Sequence, residues 1–325
     1  MPEPERILAV RDVTRHFPVR GERLFERRVV HALDGVSFDL GAGETLGIVG
    51  ESGSGKSTLA RLIVGLDHPT RGQILYQGRD VHAADRRQRR DLRRRIQIVL
   101  QDPYSSLNPR RTLRETLLQP FVVNPGVLPA EKRLARVKEL TELVGLDPDH
   151  LDRLPAQFSG GQRQRISIAR ALTLRPEVIV CDEAVSALDV SIQAQIVNLF
   201  KRLQRELGLS YVFISHDLAV VQHISTRVAV MYLGKLMEIG PRGSTYAEPR
   251  HPYTGALLSA VPRLEGPGQR QLLRGDPPSP LDPPPGCRFH TRCPRAAERC
   301  ATVEPSLDPV AEVPRHAVAC HYPLP

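Results

Sequence analysis

Residues 50–58 read Gly50-Glu51-Ser52-Gly53-Ser54-Gly55-Lys56-Ser57-Thr58, the G-x-x-x-x-G-K-[ST] spacing of a phosphate-binding loop. Glycines there let backbone N–H groups converge on phosphate oxygens, and a helix opening at the loop's end adds favourable partial charge. Lys56 is then in reach of the β- and γ-phosphates, and the Ser57 hydroxyl can ligate Mg²⁺. A second loop, Phe158-Ser159-Gly160-Gly161-Gln162, follows about a hundred residues later. It precedes a helix-like run at 162–172 and so offers a second helix N-terminus to an anion. Alone it would be an ordinary serine-capped helix. It is joined, however, by an apolar run at 178–181 that ends in Asp182 and Glu183. Asp182 is placed to hold Mg²⁺, and Glu183 to orient or deprotonate an attacking water. Asp189 closes Ser186-Ala-Leu-Asp189, His216 follows a strand-like run at 211–214, and Gln101 ends another at 96–100.

These residues need a scaffold of strands that end at the chemistry. Segments 7–15, 29–40, 45–49 and 72–76 read as strands, as do 178–181, 211–214, 227–233 and 235–238, on apolar and β-branched content. The phosphate loop sits between the run at 45–49 and a helix-like segment at 57–65, the strand–loop–helix context the pattern requires. Between the strand-like runs at 96–100 and 178–181, residues 112–171 are dominated by helical spacing, broken at Pro125-Gly126 and near Pro148. The layout is an α/β core with an inserted helical region, and it contains no internal repeat and no second phosphate loop.

In this order the residues resemble the ATP-binding cassette (ABC) family over roughly residues 7–245. The resemblance implies a P-loop ABC ATPase core, a RecA-like sheet plus an antiparallel β part, with an inserted α-helical subdomain at roughly 103–172. It makes residues 50–58 the Walker A loop, Gln101 the Q-loop and a further Mg²⁺ contact, and residues 159–162 the signature. Asp182 ends Walker B, Glu183 is the catalytic glutamate, Asp189 lies in the D-loop and His216 is the switch histidine at the γ-phosphate. Phe17 is the candidate for stacking on adenine, with a core strand residue as the bland alternative. Phe158 stands where the family usually has Leu, which keeps the position apolar. The implied cofactors are ATP and Mg²⁺. One chain is insufficient in this family, because the signature of one subunit closes over the phosphate loop of its partner.

Two further stretches, Gln101-Asp-Pro-Tyr-Ser-Ser-Leu-Asn-Pro-Arg110 and His251-Pro-Tyr-Thr254, resemble the ATPase subunits of the dipeptide/oligopeptide/nickel importers. That resemblance implies a second ATPase chain, identical or different, two membrane-spanning permease subunits and an extracytoplasmic substrate-binding protein. It makes residues 102–110 the candidate for coupling to the pore. No apolar run reaches the ~18–20 residues a bilayer span needs, and the N-terminus lacks a signal-peptide stretch. The expectation is a peripheral protein at the cytoplasmic face of the cell membrane.

The chain carries a net charge of +9, and seven arginines fall within residues 85–95. A nucleic-acid or anionic-lipid patch would fit that density, and a soluble ABC ATPase acting on nucleic acid is the alternative class. No aromatic residue interleaves the run, as a base-stacking site would want, so a solvated helix face is the preferred reading.

Residues 246–325 form an expected extension. Segment 262–286 holds eight prolines and reads as an extended linker. Four of the five cysteines follow, Cys287, Cys293, Cys300 and Cys320, with gaps of five, six and nineteen residues. Cys181 lies inside the strand run before Asp182 and reads as core packing. Disulfides are disfavoured in a reducing cytosol. Zinc favours a close C-x₂₋₄-C pair, though His290, His316 and His321 could supply ligands. A [4Fe–4S] cluster takes four thiolates, and Pro294 after Cys293 suits it; zinc stays open as the alternative. The resemblance adds that some peptide-importer ATPases carry such a cluster at a matching motif. Because these cysteines lie outside the cassette motifs, ATP binding at residues 50–58 is expected to be independent of them.

Overall fold

The computed structural model describes residues 5–20, 27–102, 106–260, 273, 275–311 and 313–325. Parts of two sequence readings, residues 103–105 after the Q-loop and 262–272 with 274 in the proline-rich segment, lie outside the described residues.

Four strands are apolar almost throughout: β3 (Thr45–Val49), β7 (Val178–Asp182), β8 (Ser210–Ile214) and β9 (Arg227–Tyr232). A strand buried on both faces has this composition, and it belongs in a parallel sheet covered by helices. Together with β6 (Ile96–Val99) they run parallel in the order β9-β3-β8-β7-β6. Alternate residues feed opposite cores. Val178, Val180, Val212 and Ile214 face one cluster with Leu59 and Leu62, while Ile179, Cys181, Tyr211 and Phe213 face the other with Phe200 and Leu203. Cys181 is fully buried there.

A second, antiparallel sheet covers one face. It has the order β2-β1-β4-β5, formed by β1 (Arg6–Arg20), β2 (Arg27–Gly41), β4 (Arg71–Tyr76) and β5 (Arg79–Asp80). Helix α1 (Lys56–Ile63) lies between the sheets. The arginine run is helix α2 (Arg86–Arg95), started by a capping box in which Asp85 and Gln88 serve each other's backbone amides. Among its described side chains Leu92 is the buried one, with Arg87, Arg89, Arg90 and Arg93 toward solvent and Arg95 paired to Glu177. That is the solvated face the sequence suggested.

The inserted region folds as α3 (Leu113–Val123), α4 (Ala130–Leu143) and α5 (Gly160–Leu172), which pack on one another. Helix α6 (Val190–Leu207) and α7 (Leu218–Ile224) complete that side.

The C-terminal residues are woven into this core. β9 turns into β10 (Lys235–Pro241), followed by α8 (Arg242–Ala247) and α9 (Pro252–Ser259). After α10 (Glu298–Thr302), the short strands β11 (Asp308–Pro309) and β12 (Ala317–Val318) extend the main sheet to the order β11-β12-β10-β9-β3-β8-β7-β6. Tyr253, Cys287, Phe289 and Cys300 belong to the same apolar cluster as the sheet.

Candidate active site

The phosphate loop leaves the end of β3 through three glycines with positive φ, at Gly50, Gly53 and Gly55. Two of them are needed for space as well as for backbone angle. A Cβ on Gly50 would lie 2.1 Å from the Met231 carbonyl oxygen, and one on Gly55 would lie 2.4 Å from that of Ala32. Nothing lies within 4 Å of the corresponding position on Gly53. The loop therefore presses its back on β9 and β2. Lys56 is buried, and its ammonium donates to the carbonyls of Gly50 and Glu51, each at 2.8 Å, and to Ser54 Oγ at 3.3 Å. Burial lowers its pKa, opposed by the negative charges of Glu183, Asp182 and Glu51.

Asp182 and Glu183 arrive at the same edge because β7 lies two strands from β3, with only β8 between them. Ser57 Oγ donates to Asp182 Oδ1 at 3.0 Å, so the two expected Mg²⁺ ligands already touch. Burial raises the Asp182 pKa; the Ser57 hydrogen bond opposes it and the neighbouring Glu183 charge adds to it. A divalent cation would remove that conflict by binding the carboxylate as an anion. Glu183 itself sits at φ +50°, a conformation a non-glycine residue adopts only when its surroundings hold it there. They do: its N–H donates to the Ile214 carbonyl, and its own carbonyl accepts from Ser186 N and Oγ. This turns its side chain toward His216, whose Nδ1 lies 3.6 Å from Glu183 Oε2. Gln101, at the end of β6, is exposed.

The Ser159 loop is elsewhere on the chain's surface. Ser159 caps α5, accepting from Gln162 N while Gln162 Oε1 accepts from Ser159 N. The helix thus begins at Gly160, two residues before the expected start, and both glycines fall inside its first turn. A Cβ on Gly161 would meet Ile192 Cγ2 at 2.6 Å, and Gly160 faces Leu188 at 3.7 Å. Ser159 and Asp189 are therefore neighbours on one surface, both exposed, with Val190 82% exposed beside them. Phe17 lies on β1, half-buried under the Arg15 guanidinium at 4.3 Å and outside both apolar cores.

The four C-terminal cysteines converge. The thiols of Cys293, Cys300 and Cys320 each raise the pKa of Cys287 electrostatically, beneath a larger contribution from burial that takes it to about 11. Backbone amides two residues on donate to three of the sulfurs, Phe289 to Cys287, Arg295 to Cys293 and Tyr322 to Cys320. Burial raises the pKa of Cys293 and Cys320 as well, and in all three these donors oppose it by favouring the thiolate. A tetrahedral zinc would hold its sulfurs roughly 3.8 Å apart, whereas among the described residues no three of these thiols lie mutually within 4.8 Å. His290 bonds the Cys287 carbonyl, His321 that of Val303 and His316 the buried carboxylate of Glu238.

Sequence reading missed two groups here. His16, His31 and Asp34 bring three potential ligand atoms within 4.8 Å of one another. Arg288, however, already binds the same carboxylate at 2.6 Å, which makes this an ion-pair node. The second is Glu51, whose amide donates to Tyr253 Oη at 3.0 Å and whose carboxylate pairs with Arg292 at 2.8 Å. Glu51 occupies a variable position of the loop pattern, so only the fold could reveal it. Arg292 directly precedes Cys293, so the cysteine segment touches the phosphate loop through this ion pair.

Comparison with known proteins agrees with this geometry. The sequence model of the family "ABC transporter" matches residues 33–186, and that of "Oligopeptide/dipeptide transporter, C-terminal region" matches residues 237–300. The chain is 54% identical to the Oligopeptide transport ATP-binding protein AppF of Bacillus subtilis (strain 168), covering 98% of this chain and 97% of that one. It is 49% identical to the Di/tripeptide transport ATP-binding protein DppF of Pseudomonas aeruginosa (strain UCBPP-PA14), over 98% of each. Among solved structures it resembles the ATP-binding cassette MJ0796, in a dimeric post-hydrolysis state bound to ADP and Pi. That likeness has a TM-score of 0.63 and 30% identity, over 72% of this chain and 98% of that one. CbiO1 from Clostridium perfringens, part of the ABC transporter complex cbiONQ, gives a TM-score of 0.64 and 28% identity over 75% and 92%. The chain belongs to the ATP-hydrolysing subunits of ABC transporters, in the branch that carries the oligopeptide/dipeptide transporter C-terminal region.

Proposed function

We propose that this chain supplies ATP-driven work to a peptide importer at the cytoplasmic face of the cell membrane. It pairs there with a second ATPase chain, identical or different, and serves two permease subunits that receive peptide from an extracytoplasmic binding protein. The observation that carries the reading is the contact of Ser57 with Asp182, beside Glu183 and His216, in a chain 54% identical to an oligopeptide transport ATPase over nearly its whole length.

In this reading residues 1–245 are the ATPase domain, with its helical subdomain at 103–172, and residues 246–325 the importer-type extension. ATP phosphates occupy the loop of Gly50, Ser52, Gly53, Ser54, Gly55 and Thr58, and the adenine stacks on Phe17. Lys56 leaves its carbonyl partners for the phosphates, and Ser57, Asp182 and Gln101 hold Mg²⁺. Glu183 polarises the attacking water while His216 contacts the γ-phosphate. Ser159, Gly160, Gly161 and Gln162, with Asp189 alongside, complete the site of the partner chain. The shared exposed surface of Ser159, Asp189 and Val190 supports that arrangement. ATP closes the pair and hydrolysis releases it, the usual logic of a γ-phosphate switch.

Cys287, Cys293, Cys300 and Cys320 would hold a [4Fe–4S] cluster, with zinc as the alternative ion. When bound, the cluster supplies four metal–thiolate cross-links and a one-electron couple. The chain's own part is to bury the thiols and present amides to them.

Purification from native membranes tests the import reading. The chain should copurify with two membrane-spanning proteins, and peptide should raise ATP turnover in the reconstituted complex with its binding protein. Recovery with DNA or RNA in a salt-sensitive complex, and without membrane proteins, would overturn it.

A further inference from the structure

Every polar group of Glu51 is taken. Its carbonyl accepts from the Lys56 ammonium at 2.8 Å and from Ser54 N at 3.2 Å. Its amide donates to the hydroxyl of Tyr253 at 3.0 Å, and its carboxylate accepts from Arg292 Nη1 at 2.8 Å. The first two partners belong to the phosphate loop. The other two lie 202 and 241 residues further along the chain, beyond the last element the loop pattern describes.

Those two partners are themselves fixed. Tyr253 is fully buried, and its ring meets Tyr232 of β9 at 4.8 Å and Phe289 at 5.2 Å. Phe289 also meets Tyr232, at 5.3 Å, which closes a triangle of rings. Arg292 is 7% exposed and donates a second bond to the Tyr232 hydroxyl at 3.3 Å. Phe289 and Arg292 lie between Cys287 and Cys293, and the Phe289 amide bonds the Cys287 sulfur. Glu51 is thus held by a rigid aromatic block anchored at one end in the sheet and at the other in the cysteine segment.

We propose that Tyr253 and Arg292 are positioning residues for ATP binding, gripping Glu51 so that the phosphate loop keeps its cradle shape when Lys56 moves to the phosphates. The physical reason lies in the lysine's partners. Lys56 spans the loop by binding the Gly50 and Glu51 carbonyls, so its transfer to a phosphate removes two of the bonds that brace the loop. The grip on the amide and carboxylate of Glu51 does not involve the lysine and persists through that exchange. A preformed cradle binds phosphate without first ordering its backbone, which strengthens affinity. The proposal rests on residues 50–58 being the ATP site, and the experiment separates the two.

Mg·ATP affinity is measured by calorimetry at low temperature on the full-length chain and on Tyr253→Phe, Arg292→Gln, Glu51→Gln and the Glu51→Gln/Arg292→Gln double variant. Tyr253→Phe removes one hydroxyl and keeps the ring, so it serves even where Arg292→Gln does not fold. Each single variant should bind roughly tenfold more weakly, and the double variant no more weakly than either of its parents. Amide exchange in a peptide spanning residues 50–54 should quicken in Tyr253→Phe, with the thermal midpoint of the chain little changed. Wild-type affinity in Tyr253→Phe and Arg292→Gln, or losses that multiply in the double variant, would overturn the proposal. Lys56→Ala is the control for the site itself. Undiminished ATP binding in that variant would instead overturn the reading of residues 50–58.

Discussion

Glu183 is held in an uncommon backbone conformation by three hydrogen bonds, and the side chain so aimed is the one proposed to act on water. Glu183→Gln keeps its size and those backbone bonds. It should retain Mg·ATP binding while hydrolysis falls about a hundredfold, the usual scale for losing a general base, as a phosphate-release assay would read. Near-normal turnover would remove Glu183 from that role. His251 makes a second prediction at this scale. It is fully buried, caps α9 by accepting from Tyr253 N through Nδ1, and burial lowers its pKa to about 4. The native state therefore disfavours the protonated ring, whereas the unfolded chain takes up a proton below about pH 6.5. Its contribution is present above that pH and is lost as pH falls toward 4, at most about 3 kcal/mol. His251→Asn keeps a capping oxygen and cannot titrate, so its urea midpoint should fall less over that interval. Equal slopes for the two proteins would refute the assignment. The candidate site residues were legible because their types and order are constrained by phosphate chemistry. Glu51 was not, because its role depends on neighbours far away in sequence.

At the scale of elements, β3 was placed residue for residue, since a both-faces-buried strand is apolar throughout and bounded by polar turns. The start of α5 was misplaced by two residues. Glycines were taken as loop, yet the reciprocal Ser159 and Gln162 bonds draw both into the first turn, where Gly161 fits against Ile192. That packing joins the serine loop and the Asp189 turn into one stiff corner. Ser159→Arg adds bulk and charge to its exposed tip. A single chain should still bind ATP, but ATP should no longer drive pairing of the Glu183→Gln protein on a sizing column. Lost ATP binding by the single chain would argue that Ser159 serves its own phosphate loop.

For the molecule as a whole, the sequence suggested a cassette with a stapled appendage, and the cassette was legible from the order of its motifs, which resemble that family's. Where the extension docks was not legible, because proline-rich, irregular chain has no period from which docking could be inferred. Its cysteines remain the clearest chemical question. Anaerobically purified protein should be brown, with iron and acid-labile sulfide near four each per chain. Cys287→Ser, Cys293→Ser, Cys300→Ser or Cys320→Ser should bleach it, and Cys181→Ser should not. Colourless protein carrying one zinc would decide for the alternative ion.

The pairing of β12 with β10 has a bearing on synthesis. A chain emerges from the ribosome N-terminus first, so β10 must wait for residues 317–318 before its outer edge is covered. Arg292 likewise reaches Glu51 only after 241 further residues have been made. A nascent chain therefore passes through a stage with a complete phosphate-loop sequence, a bare strand edge and an ungripped loop. An exposed edge is a template for wrong pairing, and premature stops between codons 293 and 317 should yield aggregating chains rather than shortened working ones, as pelleting of such truncations would show.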